Sequence, residues 1–363
     1  MLKFFLRGYL KHHNISLEEI MGYMALGCMI SYFVAGSLAY YFRKKHLITI
    51  STIIAIVVLS IGQRLGYYPF EIFVIIVGVI GMIFGLRTVI KSILLSSEIQ
   101  KSEFGETSIN GVVNIAILGG TILGCYLGFV IYGAFGGQGF WILIANLIAI
   151  ILASAFLGYD VGFQKKSIKE TLRIAIPSIT GVIKKYFWLL VPIGALWAIS
   201  TAVGQKMLEI GIDVFNKVPK SSILIIVISI VGAIFGHIIS AFFTKHKRYL
   251  SMIFTIILGL TTFYFPYILN RYDYYITLNI SSFFMGVFFG IAVNLLEGRF
   301  FYHIGEDHRK EYGSAAYGIA TNIVIFFVMI VSDFLTNKIG VIVPFIFFGI
   351  VLLIMPLFIR RFK

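Results

Sequence analysis

Eleven stretches of the chain are long enough and apolar enough to cross a lipid bilayer as α-helices. A helix rises about 1.5 Å per residue, so about 20 apolar residues span the hydrocarbon core. Backbone amides in hydrocarbon need partners within their own segment, which favours helices over open strands. The stretches are residues 17–42, 47–65, 70–95, 110–133, 140–158, 186–208, 222–244, 249–269, 275–298, 313–336 and 339–359. The sequence therefore predicts an all-α membrane protein with about eleven transmembrane helices.

The composition excludes an ordinary soluble domain. Apolar residues make up 59% of the chain and charged residues only 13%, with 35 Phe and 36 Gly. A soluble surface needs more charge, whereas Gly is frequent where membrane helices pack closely. The net charge of +14 lies mostly in short loops between the apolar stretches, so we expect membrane lipids, and no nucleic acid, as partners.

The basic residues of the loops predict the orientation. One set of alternate loops holds nineteen Lys and Arg, against six in the other set, or nine with the basic residues of the N-terminus. Cytoplasmic loops are enriched in Lys and Arg. We therefore expect the set with nineteen, and the C-terminus, on the cytoplasmic side.

An internal repeat relates the two parts of the chain. The sequence from Gly36 to His46 and that from Gly236 to His246 both place a Gly ten residues before a His, at an offset of 200 residues. A complete stretch, 186–208, precedes the second copy, but only the short segment 1–16 precedes the first. This pattern predicts two related halves, 1–158 and 186–363, joined by a cytoplasmic linker, 159–185. The first half would lack most of its first helix. The alternative is an eleven-helix protein with a short amphipathic N-terminal segment.

These features resemble the major facilitator superfamily, in which two six-helix halves are joined by a long cytoplasmic link. The family has a Gly-x-x-x-Asp-x-x-x-Arg loop after the second helix of each half, and Gly36, Arg43 and Lys44 fit it, with Gly236 in the second copy. The resemblance implies a gating loop here and transport by alternating access. Tyr40 replaces the usual Asp, a carboxylate that helps to latch the halves together in the family.

Within the superfamily, the chain is similar to bacterial lysophospholipid transporters. The similarity depends on Lys91, Asn110-Gly111, Asn294-Leu-Leu-Glu297 and Thr321-Asn322, although Asn114 stands where those proteins tend to have Glu. It implies transport of a lysophospholipid or similar amphiphile across a bacterial inner membrane. The implied partners are a coupling ion, H⁺ or Na⁺, and a lysophospholipid acyltransferase. A facilitator or exporter of a small metabolite or drug is the alternative.

Polar residues within apolar stretches are the candidates for a substrate site, because such groups are costly in a membrane. The substrate-binding candidates are Arg87, Lys91, Asn114, Asn294, Glu297 and Asn322. Arg87 and Lys91 are four residues apart near the predicted end of their helix, so they share a face that could bind a phosphate or extend to the interface. Glu297 could pair with Lys91 when the site is empty, or cap the end of its own helix.

The motifs of several enzyme classes are missing from the sequence. There is no Gly-x-x-x-x-Gly-Lys-Ser/Thr loop, no His-x-x-x-x-Asp acyltransferase signature and no metalloprotease spacing. We therefore expect no enzymatic activity, cofactor or metal. A hypothesis of another class is a degenerate protein that no longer transports, as an incomplete first helix and Tyr40 in the gating loop would suggest.

Overall fold

The computed structural model describes most of the chain as α-helices. It describes residues 17–62, 70–101, 105–135, 168–214, 219–243, 246–269, 271, 274–306 and 310–361. The predictions for the N-terminal segment, the stretch 140–158 and the start of the linker lie outside these residues. The helices are α1 (Leu17–Tyr41), α2 (Lys44–Gly62), α3 (Phe70–Lys101), α4 (Glu106–Phe135), α5 (Ile168–Val214), α6 (Pro219–Ala241), α7 (Lys247–Leu269), α8 (Tyr274–Glu306), α9 (Lys310–Lys338) and α10 (Val343–Arg361).

The prediction of an all-α membrane protein is confirmed. Seven of the described helices are long and apolar enough to cross a bilayer, and α2 and α6 contain shorter apolar segments, His46–Val58 and Val227–Ala241. Two predicted ends are too early, because α3 continues to Lys101 instead of ending at residue 95 and α8 continues to Glu306 instead of 298. Helix α5 begins at Ile168, so part of the predicted linker is helical and is continuous with the predicted stretch 186–208. Helix α5 has a kink at Tyr186, where the backbone leaves helical geometry (φ −108°, ψ 15°).

The described chain forms two compact units, each built from separate segments. Unit 1 comprises Met1–Leu94, Leu123–Lys185 and His308–Phe326, and unit 2 comprises Leu95–Ile122, Tyr186–Asp307 and Phe327–Lys363. The first part of α4 therefore packs with α6, α7 and α8 in unit 2. Unit 1 has a buried apolar core in which residues of α1 and α3 pack against Ala175, Ile179 and the start of α9.

Glycines allow close helix packing at corresponding places in the two units. In unit 1, a Cβ atom on Gly85 of α3 would collide with Ser31 and with the carbonyl oxygen of Cys28 on α1. In unit 2, a Cβ atom on Gly286 of α8 would collide with the carbonyl oxygen of Ser229 on α6. Small residues let membrane helices approach until their backbones touch. The repeat that aligns Gly36 with Gly236 also aligns α1 with α6. The packing of α3 on α1 in unit 1 therefore corresponds to the packing of α8 on α6 in unit 2.

Candidate functional site

A buried acidic side chain of unit 2 lies in the interior of an apolar helix. Glu297 of α8 is only 2% exposed and precedes the end of that helix by nine residues. The interpretation of Glu297 as a cap of its own helix end is therefore wrong. Three neutral N–H groups donate to its carboxylate: Trp197 Nε1 at 2.7 Å, Asn114 Nδ2 at 3.0 Å and Asn110 Nδ2 at 3.3 Å. Helices α4, α5 and α8 thus meet at one carboxylate.

Asn294 connects the same helices one turn before Glu297. Its side chain is fully buried and accepts a hydrogen bond from Asn110 Nδ2 at 2.7 Å. Its own Nδ2 donates to the Thr107 carbonyl at 2.9 Å and to Ser240 Oγ at 2.7 Å. Positions three apart on a helix share a face, so Asn294 and Glu297 both point towards α4. We call the side chains of Asn110, Asn114, Trp197, Ser240, Asn294 and Glu297 the polar cluster.

Further polar contacts attach the start of α4 to unit 2. Lys247 Nζ lies 2.6 Å from Glu106 Oε1, and these side chains are 17% and 21% exposed. Ser108 Oγ donates to the Ala241 carbonyl at 3.3 Å, at the end of α6. Gly111 faces Asn294, because a Cβ atom there would come within 3.2 Å of its Nδ2. Successive residues in the first turns of α4 therefore contact α6, α7 or α8.

A small cavity of about 30 Å³ lies within unit 2, between α5, α6, α7, α8 and α10. Phe289 lines it and packs edge-on against Trp197, with ring centroids 5.0 Å apart. Its remaining lining is mainly aliphatic side chains and methionines, with the hydroxyls of Ser200, Ser229 and Thr262. Phe289 thus contacts both the cavity and the indole ring of Trp197.

In unit 1, Arg87 and Lys91 occupy the interior of α3. Both side chains are half-buried, and the helix continues ten residues beyond Lys91. The prediction that they lie near the end of their helix is therefore wrong. Arg87 Nη2 donates to Thr52 Oγ1 of α2 at 2.5 Å. Four residues apart on one helix, the two cations share a face, as predicted.

Asn322, the last substrate-binding candidate, also lies in unit 1. Its Nδ2 donates to Tyr32 Oη of α1 at 3.1 Å and to the Gly318 carbonyl at 3.0 Å. The structure therefore places Asn322 in a contact between α1 and α9. This contact belongs to unit 1, whereas the polar cluster belongs to unit 2.

The predicted gating-loop residues lie near the ends of α1 and α6. Residues 42 and 43 form the turn between α1 and α2, where Arg43 is exposed and Lys44 begins α2. The side chain of Tyr40 lies outside the described residues. Gly36 packs on α9, because a Cβ atom there would lie 3.1 Å from the Cβ atom of Ala315. Gly236 packs on the backbone of α8. Both glycines are therefore sites of close helix packing, and their role in gating stays a prediction.

The structure brings together three of the six substrate-binding candidates: Asn114, Asn294 and Glu297. Sequence reasoning missed the contributions of Trp197 and Ser240. Trp197 gave a usable signal, since an indole N–H in an apolar helix needs an acceptor. Among the described residues, no group of three or more His, Cys, Asp or Glu side chains could hold a metal ion.

Solved structures of major facilitator superfamily (MFS) transporters have the same fold over nearly the whole chain. The MFS proton:xylose symporter XylE superposes with a TM-score of 0.68 at 14% identity, over 95% of this chain and 86% of XylE. The MFS transporter FucP in its outward conformation gives 0.69 at 11% identity, over 95% of this chain and 89% of FucP. The human organic anion transporter MFSD10 gives 0.69 at 10% identity, over 94% of this chain and 83% of MFSD10.

No family model and no curated protein sequence matches the chain. The identities of 10 to 14% show similarity of fold and not of substrate. Together with the apolar helices, they show a multi-pass membrane protein with the fold of MFS transporters.

Proposed function

We propose that the chain is a secondary transporter in which Glu297 binds a coupling cation. The observation that supports this is the position of Glu297, 2% exposed within an apolar helix and surrounded by amide and indole donors. Ionised groups in membrane helices are costly, and they typically mark ion or substrate pathways. The three neutral donors orient the carboxylate, to which H⁺ or Na⁺ would bind.

The proposed substrate is an amphiphile of the lysophospholipid type, moved across a bacterial inner membrane. Two observations support this class. The cavity in unit 2 has a largely apolar lining, as an acyl chain requires, and its volume of about 30 Å³ would have to increase in another conformation to admit one. Arg87 and Lys91 place two cations on one face of α3, where guanidinium and ammonium groups can bind a phosphate. A lysophospholipid delivered to the cytoplasm would supply an acyltransferase there.

A second candidate is a small hydrophilic solute. Two structural neighbours are named as a proton:xylose symporter and, in E. coli, a fucose:proton symporter. Under this alternative, substituting Lys91 with Ala abolishes transport of that solute and leaves lipid movement untouched. Under the lysophospholipid proposal, the same substitution lowers lysolipid uptake.

Transport by purified protein in liposomes tests the proposal. Uptake of fluorescent lysophosphatidylethanolamine and of radiolabelled xylose and fucose is measured under an imposed H⁺ or Na⁺ gradient. We expect gradient-stimulated lysolipid uptake that is lost in Glu297→Gln. Glu98→Gln is the matched control, since Glu98 is an exposed carboxylate on α3, and it should transport normally.

The other outcomes separate the alternatives. Uptake of sugar alone favours the second candidate. Uptake without any cation dependence rejects the role of Glu297. If none of these solutes moves under any gradient, the proposal fails and the non-transporting hypothesis is supported. The proposed orientation, with a cytoplasmic C-terminus, is tested by fusing a reporter that is fluorescent only in the cytoplasm to Lys363.

A further inference from the structure

Helix α5 carries polar side chains at four positions spaced by four residues: Trp197, Thr201, Gln205 and Glu209. Residues four apart on a helix are neighbours, each rotated by about 40° from the last, so the series winds about 120° around α5 from Trp197 to Glu209. From Trp197 to Glu209, the series extends over about 18 Å at 1.5 Å per residue. We call these four residues the polar column. It begins at the polar cluster, because Trp197 Nε1 donates to Glu297.

Gln205, in the middle of the column, has a buried side chain whose amide makes no hydrogen bond. It is 5% exposed, and neither its Oε1 nor its Nε2 has a partner. It lies within the apolar span Arg173–Met207. A buried polar group without a partner costs about 1–3 kcal/mol, so its presence at this depth calls for a ligand that pairs with it.

The neighbouring members of the column also present oxygen atoms. Thr201 Oγ1 is half-buried and donates its hydrogen to the Trp197 carbonyl at 2.7 Å, which leaves the hydroxyl oxygen as an acceptor. Glu209, two residues beyond the apolar span, has a side chain that is 37% exposed. Lys206 is 2% exposed and binds both Glu209 oxygens, at 3.2 and 3.0 Å. The column thus leads from a buried to a partly exposed carboxylate.

Gln205 does not line the cavity in unit 2. The cavity is lined on α5 by Ile199, Ser200, Val203, Gly204 and Met207. At about 100° per residue, Ser200 and Gln205 are about 140° apart around the helix axis. Gln205 therefore lies on a different face of α5 from Ser200, which lines the cavity.

We propose that the polar column is the route by which a monovalent cation moves between Glu297 and the Glu209 end of α5, with Gln205 as its intermediate binding site. The inference rests on the proposed role of Glu297. Carboxylate, hydroxyl and amide oxygens are groups that bind hard cations, and Lys206 has to release the Glu209 carboxylate before a cation binds there.

Fluorescence of Trp197 provides a test that needs no transported solute. The double variant Trp141→Phe and Trp188→Phe leaves Trp197 as the sole tryptophan, beside Glu297. Stopped-flow mixing of the purified protein with NaCl, with choline chloride as control, or with buffer of lower pH, reports cation arrival at Glu297. We expect a fluorescence change with Na⁺ or with H⁺, and its loss in Glu297→Gln.

In Gln205→Leu, the fluorescence change should keep its amplitude and slow by about tenfold or more, because the cation loses a polar site worth at least one hydrogen bond to a charge. Ser200→Ala, on the other face of α5, should leave the rate unchanged. Mixing with NaCl and mixing with buffer of lower pH distinguish a Na⁺ route from an H⁺ route. An unchanged rate in Gln205→Leu, or no response of Trp197 to either cation, overturns the inference.

Stability controls separate conduction from a structural role. Replacing an unpartnered amide with an apolar group of similar size should keep or raise the melting temperature in detergent. If Gln205→Leu and Gln205→Met both unfold more readily, the amide has a structural partner and the inference is wrong. A protein that transports no solute rejects the proposed function, yet the fluorescence response still decides whether the column admits cations.

Discussion

Replacing Asn294 with Leu removes the amide that joins α4, α6 and α8 and keeps a side chain of similar branched shape. Three hydrogen bonds are lost: those from Asn110, to the Thr107 carbonyl and to Ser240. Side-chain hydrogen bonds between membrane helices contribute about 0.6 kcal/mol each on average and up to about 1.7. The variant should therefore lose about 2 to 5 kcal/mol. At about 2 °C per kcal/mol for a chain of this size, the melting temperature should fall by about 4 to 10 °C.

The assay is thermal unfolding of the detergent-solubilised protein, followed by the loss of the monodisperse peak in size-exclusion chromatography. Asn337→Leu is the matched control. Asn337 is an exposed asparagine on α9 whose Nδ2 makes an intrahelical hydrogen bond to Asp333 at 3.1 Å. Exposed contacts of this kind contribute a few tenths of a kcal/mol, so its melting temperature should change by less than about 1 °C.

Equal shifts for the two asparagine variants would refute the reasoning. That result would mean that the buried amide network contributes no more than an exposed helical contact. A large loss in Asn294→Leu together with retained lysolipid binding would show that the amide stabilises the packing of α4 without forming part of the substrate site.

The remaining predictions concern helix packing and an ion pair. Gly286→Ala should lower the melting temperature by several degrees, since overpacking costs about 1–3 kcal/mol, whereas Gly119→Ala, with open space around it, should not. A double-mutant cycle on Glu106 and Lys247 should give a coupling of about 1 kcal/mol, because the pair is partly buried, and the exposed i,i+3 pair at the end of α3 should give none. Tyr32→Phe removes the acceptor of Asn322 and should cost about 0.6 kcal/mol. Each is measured by thermal unfolding in detergent, and a reversed order of variant and control would contradict the reasoning.

Part of the candidate site was predictable from residue type alone. Glu297 and Asn294 stand out in the sequence because a carboxylate or an amide in an apolar stretch needs a partner. Their contacts were not predictable, since Asn110 and Glu297 are 187 residues apart in the chain. The same limit applied to Arg87, which the sequence placed near a helix end and which the structure places inside α3, bonded to Thr52.

The sequence by itself determined the membrane environment, the all-α class and the approximate positions of the helices. Hydrocarbon forces each apolar stretch to satisfy its own backbone, so these features follow from local composition. Only the tertiary structure decided which faces meet. Helices such as α3 and α8 are apolar around most of their circumference, so no amphipathic pattern shows which side is buried. The grouping of α4 with α6 and α8, and the approach of Trp197 to Glu297, depend on close packing between distant segments, which glycines such as Gly286 permit.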